Sequence, residues 1–253
     1  MTDELLRFTR NQNGNVLLLT MDRPEKLNAM DRTWFRELRE IMQEAGVGDD
    51  VRAIVLTGSG RAFSAGGDID MFHDLAGDVE KVRPHLKLVY EAFNSVERCA
   101  VPVIAAVNGL AYGGGTELAL ACDVVLAGES ARFAFKEPHV GLMPGYGIVR
   151  GPEVMGRHWT RYLALSGRTI DAQRAVRAGL VQEVHSDEAL LAEAMGLAGE
   201  IAANSPLSVQ VGKSFINRDA VGGFAESTEA TALLFGSGEH RAAVEEFRRA
   251  RGR

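Results

Sequence analysis

The stretch from Tyr112 to Asp123, YGGGTELALACD, places three consecutive glycines directly before an apolar segment with helical character. It follows the apolar run VPVIAAV of residues Val101–Val107, so the pattern predicts a buried strand, a tight loop and then a helix. One glutamate, Glu117, lies among residues that are otherwise expected to be buried. Glycine is costly to order and an unpaired buried carboxylate is expensive, so this junction indicates a function beyond packing.

The alternation of strand and helix patterns extends over the first half of the chain. Short aliphatic runs such as VLLLT (Val16–Thr20) and RAIVLTG (Arg52–Gly58) alternate with longer helical patterns. This alternation predicts an α/β fold with buried strands. After about Gly141 the strand signals become sparse, which predicts a helical final third. We find no repeat, low-complexity segment or long linker.

The composition argues against several classes of protein. The 253 residues are 46% hydrophobic and 25% charged, with a net charge of −6, which disfavours nucleic-acid or anionic-membrane binding as the main activity. The longest apolar runs are too short to span a bilayer. The polar N-terminus has no export signal or presequence, and Cys99 and Cys122 lack metal-like spacing. We therefore expect a cytoplasmic protein with reduced core thiols.

Two Gly-rich loops are candidates for binding an oxyanion. The loops RAFSAGGDID (Arg61–Asp70) and NGLAYGGGTE (Asn108–Glu117) each follow a strand and open a helix. Helix N-termini leave backbone N–H groups unsatisfied, so two such junctions facing one another would form an oxyanion hole. Either loop taken singly is equally consistent with tight packing alone, and it is their combination that favours a site.

A third loop, FKEPHVGLMPGYG (Phe135–Gly147), supplies a second carboxylate, Glu137. Two glutamates beside a pair of backbone donors suit reversible proton transfer next to a carbonyl, because the donors stabilise the enolate while each carboxyl holds or releases a proton. Glu117 is predicted in the first turn of its helix, where the dipole favours the anion and apolar neighbours favour the acid. These opposed influences predict a pKa in a catalytically useful range.

The motifs resemble those of the crotonase family, the enoyl-CoA hydratase/isomerase superfamily. The resemblance covers nearly the whole chain and is carried by RPEKLNAM (23–30), FSAGGDI (63–69), AAVNGLAYGGGTELALACD (105–123) and ARFAFKEPHVGLMPG (131–145). It implies an α/β, crotonase-type spiral of ββα units in residues 1–195 and a helical C-terminal trimerisation region in residues 196–253. It also implies a coenzyme A thioester as substrate, a homotrimer or homohexamer, and no metal or redox cofactor.

The resemblance also assigns roles to individual residues. Matched without a gap, Ala65 and Gly114 fall where the family has the two N–H groups of its oxyanion hole. Glu117 and Glu137 occupy the positions of the two catalytic glutamates. The other implied substrate contacts are Lys26, a candidate phosphate contact near the CoA nucleotide, Gly145, near the catalytic water, and Ala29, Asp68, Ile69 and Tyr146.

Because both glutamates are present, the resemblance implies syn hydration of a 2-enoyl-CoA. Glu117 would deprotonate the water that attacks C3, and Glu137 would deliver a proton to C2. The alternatives within the family are a Δ3,Δ2-enoyl-CoA isomerase, a CoA-thioester hydrolase and a C–C hydrolase. An RNA-binding protein is the alternative from another class, suggested by the arginines of the tail 241–253. That tail also carries glutamates, and cations at a helix C-terminus complement its dipole.

Two further enzyme classes fit the sequence poorly. Ser64 in AFSAG is one residue from a nucleophile elbow, but no histidine is singled out as its partner. The segment GYGIVRG resembles a dinucleotide-binding turn but follows no convincing strand and departs from G-x-G-x-x-G. We therefore set aside a serine hydrolase and a nicotinamide reductase.

Two expectations concern the segments that depart from the family or extend beyond its core. Family hydratases continue with PGAGG where this chain reads PGYGI, which places Tyr146 where a small residue is usual. Either Tyr146 packs beneath the following helix, or its ring narrows the pocket beside Glu137 or its hydroxyl reaches the catalytic water. The apolar residues Leu233, Leu234 and Phe235 are expected at subunit contacts. The acyl group is not specified by the sequence.

Overall fold

A computed structural model describes residues 7–45, 50–71 and 79–217 of the chain. Three expectations fall outside these residues: the basic tail 241–253, the apolar segment 233–235, and the part of the helical C-terminal region beyond residue 217. Within the described residues, no helix combines the length and the apolar character needed to cross a membrane.

The described strands form two sheets. The larger sheet has the order β1 (Phe8–Asn13), β2 (Val16–Met21), β3 (Ala53–Gly58), β5 (Val103–Val107), β7 (Val124–Gly128) and β10 (Glu183–His185). The smaller sheet has the order β4 (Ala62–Ser64), β6 (Leu110–Tyr112), β8 (Arg132–Ala134) and β9 (Ile170–Asp171). The pairs β1–β2 and β8–β9 are antiparallel, and the other neighbours are parallel.

From β3 to β8, consecutive strands alternate between the two sheets, and a helix follows each pair. The helices are α1 (Arg32–Ala45), α2 (Val79–Glu97), α3 (Gly114–Ala121), α4 (Gly147–Val154), α5 (Gly156–Ser166), α6 (Ala172–Ala178), α7 (Leu190–Ala202) and α8 (Pro206–Ile216). The pairs β3–β4, β5–β6 and β7–β8 each step from the larger to the smaller sheet and lead to α2, α3 and α4. This repetition confirms the predicted spiral of ββα units.

The central strands are buried on both faces, which explains why they read as continuous apolar runs. Every residue of β3 and β5 is buried. On one face, α7 packs small residues such as Ala194 and Ala198 against Val55 and Ile104. The predicted division between residues 195 and 196 falls inside α7, so this helix belongs with the sheet that it covers.

The final third is less uniformly helical than expected. Strands β9 and β10 lie beyond Gly141, and β10 extends the larger sheet parallel to β7. These strands have two and three residues, which is too short to produce a periodic hydrophobic pattern. Tertiary pairing, rather than local sequence, therefore determines them.

Candidate active site

The glycines at the start of α3 allow three loops to meet. Gly113 has φ 50° and ψ −120°, a conformation that strongly favours glycine. A Cβ added to Gly113 would stand 2.6 Å from Oε1 of Glu137, and a Cβ added to Gly115 would collide with the carbonyl oxygen of Ser64. The N-terminus of α3 therefore lies directly against Glu137 and against the loop that follows β4.

Two backbone N–H groups beside this junction are free to bind a ligand. The amide of Met30 donates to the carbonyl of Gly66 (2.8 Å), and the amide of Asp68 donates to the carbonyl of Met30 (2.9 Å). Because N–H directions alternate along an extended chain, the N–H of Gly67 is directed away from Met30. A Cβ added to Gly114 would lie 3.7 Å from the nitrogen of Gly67. Among the described residues, neither Gly67 nor Gly114 has an acceptor for its N–H.

The structure contradicts the prediction that Ala65 supplies an oxyanion donor. The N–H of Ala65 donates to the carbonyl of Leu27 at 2.9 Å, and a backbone amide has only one hydrogen to donate. Gly67, two residues later, carries the free N–H. The sequence motif alone does not show which amides of this loop pair with the neighbouring loop, and that pairing decides the assignment.

Glu117 is buried in the first turn of α3 and is held by another backbone segment. Its Oε1 accepts a hydrogen bond from the amide of Gly147 at 2.8 Å, and the amide of Tyr146 also favours the ionised form. Burial is the largest influence and, together with the charge of Glu137, raises the pKa of Glu117 to about 7. Both protonation states are therefore accessible near neutral pH.

Glu137 begins a short 3₁₀ helix, Glu137–Val140, and directs its carboxyl group toward Gly113. Burial raises the pKa of Glu137 above its ordinary value. Its Oε2 atom is buried and has no hydrogen-bond partner among the described residues. A buried polar atom of this kind is costly unless a ligand, a water molecule or a proton satisfies it. The carboxyl group of Glu137 is therefore available to bind a ligand or a water molecule or to carry a proton.

Two of the predicted substrate-binding residues are occupied by ion pairs. Asp68 is buried with Oδ2 2.5 Å from Arg23, and although burial opposes ionisation, the amide of Asp70 and the Arg23 guanidinium hold the pKa of Asp68 below its usual value. Lys26 pairs with Asp70 at 2.6 Å on the surface. The carboxylate of Asp68 therefore serves to hold the loop, and the substrate contact predicted for this residue stays a prediction.

The remaining predicted contacts lie at different depths around the site. Ala29 is buried and its carbonyl oxygen accepts a hydrogen bond from Arg23 at 3.3 Å, whereas Ile69 is 63% exposed. Gly145 lies against a residue that sequence reasoning missed: a Cβ on Gly145 would stand 2.5 Å from the hydroxyl oxygen of Tyr90. Tyr90 lies in a helical pattern in which nothing distinguishes it from other core residues.

Tyr146 has a packing role, which was the first of its two predicted roles. Its hydroxyl donates to Oε2 of Glu97 at 2.6 Å, and its ring meets Phe93 edge-on with the centroids 5.4 Å apart. Arg150 also binds Glu97, at 2.6 Å. The prediction that the Tyr146 hydroxyl reaches a catalytic water is wrong, because that hydroxyl is already bound to Glu97. Tyr146 instead anchors the start of α4, whose amides hold Glu117.

Comparison with known proteins identifies the family of this chain. The enoyl-CoA hydratase/isomerase family model matches residues 11–250. The 2,3-dehydroadipyl-CoA hydratase of Escherichia coli (strain K12) is 36% identical over 242 residues, covering 92% of this chain and 91% of that protein. The mitochondrial Delta(3,5)-Delta(2,4)-dienoyl-CoA isomerase of Homo sapiens is 39% identical over 219 residues, covering 82% of this chain and 66% of that protein. The crystal structure of an enoyl-CoA hydratase from Bacillus anthracis matches with a TM-score of 0.90 at 30% identity over 96% of each chain. This chain therefore belongs to the enoyl-CoA hydratase/isomerase family.

Proposed function

We propose that this protein hydrates a 2-enoyl-CoA thioester, adding water across the C2=C3 double bond. The observation that carries the proposal is the meeting of two carboxyl groups, that of buried Glu117 and that of half-buried Glu137, whose Oε2 atom is buried, with the free N–H groups of Gly67 and Gly114. Hydration beside a thioester requires a group that activates water, a group that protonates carbon, and a stabiliser for the enolate between them.

The enolate would be stabilised by the two glycine amides. With the thioester oxygen between Gly67 and Gly114, its negative charge would receive two backbone hydrogen bonds. The oxygen would also lie at the N-terminus of α3, where the helix dipole favours an anion. Since these donors are fixed by the fold, they would need no reorganisation as the charge develops.

The two carboxyl groups would divide the proton transfers. Ionised Glu117 would take a proton from water as its oxygen attacks C3, and protonated Glu137 would give its proton to C2, leaving a 3-hydroxyacyl-CoA. Each charge disfavours the other, so the pair is most stable with one proton between them. The reaction requires the form of this pair in which Glu137 holds the proton, and exchange with solvent restores that form after each turnover.

Isomerisation of the double bond is the second candidate, and the dienoyl-CoA isomerase relative favours it. The same carboxyl groups could remove a proton from one carbon and return it to another, with the enolate held by the same amides. In that case no water would be incorporated. The two reactions are therefore separated by the fate of solvent oxygen.

We also propose that coenzyme A is part of the substrate, that no further cofactor takes part, and that the protein acts in the cytoplasm as a homotrimer or homohexamer. CoA thioesters appear in the names of both relatives. Large apolar side chains are exposed next to Glu137, including Leu142 (51%) and Met143 (65%), and a subunit contact would remove them from water. Sedimentation of the full chain at micromolar concentration tests the assembly, and a monomer would contradict it.

The activity is tested with a panel of trans-2-enoyl-CoA thioesters of graded length and branching. Hydration of each substrate is measured as the decrease in the absorbance of the conjugated thioester. A series of 3-enoyl-CoA thioesters is assayed in parallel to test for isomerisation of the double bond. Formation of 3-hydroxyacyl-CoA from at least one 2-enoyl substrate is the expected result. Conversion of the 3-enoyl series without hydration would favour isomerisation, and inactivity toward both would contradict the proposal.

A further inference from the structure

Tyr90 places a phenol at the edge of the candidate active site. The residue lies in α2, one turn before Phe93, which is fully buried. The Tyr90 hydroxyl oxygen rests against the backbone of Gly145, at a position where any side chain on residue 145 would collide with it. The absence of a side chain at residue 145 therefore leaves the space that the Tyr90 hydroxyl occupies.

The environment of Tyr90 links it to the proton-transfer groups. Burial raises the pKa of Tyr90, and the charge of Glu117 raises it further. The phenol is therefore neutral at physiological pH and keeps its hydrogen for donation. Among the described residues, nothing accepts or donates a hydrogen bond to this hydroxyl. Tyr146, in contrast, has its hydroxyl bound to Glu97.

A neutral hydroxyl without a protein partner distinguishes between acyl groups. An aliphatic acyl chain lying against the Tyr90 oxygen would displace water and leave a polar atom unsatisfied. A chain with its own oxygen at that point would satisfy the hydroxyl instead. Sites of this kind reject an analogue that lacks the polar atom more strongly than apolar pockets reject an added methylene group.

We infer that Tyr90 selects acyl-CoA thioesters that carry a hydrogen-bonding oxygen a few bonds beyond the reacting carbons. The inference rests on the proposed function for the placement of the acyl group. It deepens that function by naming the substrate class as oxygenated enoyl-CoA thioesters. Glu117 and Glu137 perform the proton transfers, and Tyr90 acts on the choice of substrate.

Equilibrium binding tests the inference without requiring turnover. The probes are 4-hydroxybutyryl-CoA and pentanoyl-CoA, which have the same number of heavy atoms and differ by a hydroxyl in place of a methyl group. Their Kd values are measured by isothermal titration calorimetry on the full chain and on Tyr90→Phe, which removes one oxygen. We expect the substitution to shift the ratio of the two Kd values toward pentanoyl-CoA by about tenfold, the scale of one net hydrogen bond.

Tyr162→Phe is the matched control, because the Tyr162 hydroxyl is exposed and contacts Arg168 at 3.5 Å. That variant should keep the wild-type ratio. A ratio that Tyr90→Phe changes by less than twofold would overturn the inference, whether or not the protein hydrates enoyl-CoA. Inactivity toward enoyl-CoA with an intact shift in the ratio would instead overturn the proposed reaction and leave the role of Tyr90 standing.

Discussion

The carboxylate of Glu117 accepts a 2.8 Å hydrogen bond from the backbone amide of Gly147, thirty residues further along the chain. Glu117 lies in the first turn of α3, and Gly147 is the first residue of α4. Two helix N-termini therefore favour the ionised form, while burial and Glu137 favour the protonated form. The balance makes both protonation states of Glu117 accessible near neutral pH, as the proposed general base requires.

The first prediction is a pH dependence set by Glu117. Its pKa of about 7 means that the ionised base accumulates as the pH rises through neutrality. We expect kcat/KM for the best enoyl-CoA to rise with pH and to level off above about pH 7. In Glu117→Gln the residual rate should lack the acidic limb. An acidic limb of the same midpoint in that variant would assign the titration to another group.

The second prediction concerns stability. Glu117 ionises near pH 4.5 in the unfolded chain and near pH 7 in the folded protein, so the folded protein binds this proton more tightly. The stabilisation of the folded state that results is fully present below about pH 4.5 and is lost as the pH rises to about 7. At about 1.4 kcal/mol per pH unit, the loss is roughly 3 kcal/mol. Urea denaturation of Glu117→Gln should show a correspondingly weaker fall in the free energy of unfolding across this window. An equal pH dependence in both proteins would contradict the raised pKa.

The third prediction uses a pair of glycines that both have positive φ. Gly113→Ala places a Cβ 2.6 Å from Oε1 of Glu137, whereas Gly14→Ala, with φ 57°, meets nothing within 4 Å. Both variants carry backbone strain, but only Gly113→Ala displaces the carboxyl group of Glu137. We expect kcat to fall about a hundredfold or more in Gly113→Ala, since this is the scale of general acid–base catalysis. Gly14→Ala should retain wild-type kcat, with only its melting temperature lowered, and equal kcat values in the two variants would refute the contact.

The sequence predicts those groups of the site that an unusual residue type makes recognisable. Glu117 and Glu137 are recognisable because carboxylates in apolar or Gly-rich surroundings are unusual. The donor at Gly67 and the phenol of Tyr90 are not recognisable in this way. A backbone N–H has no residue type, and its freedom depends on pairing between loops, here the bond from Ala65 to Leu27. Tyr90 becomes distinctive only when α2 brings it against Gly145.

The same reasoning applies to the fold. The buried strands β3 and β5 are long enough for their apolar runs to be read directly. Strands β9 and β10 depend on partners that lie far away in the sequence, β8 and β7. Short strands of this kind are fixed by tertiary pairing, which local patterns do not contain.

The fourth prediction distinguishes the two loop amides. Binding of acetoacetyl-CoA, whose enolate places negative charge on the thioester oxygen, should shift the amide proton signals of Gly67 and Gly114 downfield. The signal of Ala65 should remain close to its free position, because its N–H is bonded to Leu27. Selective ¹⁵N labelling of glycine and alanine makes the three signals observable by NMR. A large shift at Ala65 with none at Gly67 would restore the assignment based on the sequence motif.

The most direct test of the account is the fate of labelled water in the wild-type protein and in Glu117→Gln. Crotonyl-CoA, or the best substrate of the panel, is incubated in H₂¹⁸O, and the product is analysed by mass spectrometry. We predict a 3-hydroxyacyl-CoA with ¹⁸O at C3, formed at least about a hundredfold more slowly by a folded Glu117→Gln protein. A product without ¹⁸O, or a Glu117→Gln variant that hydrates at the wild-type rate, would contradict the assignment of water activation to Glu117.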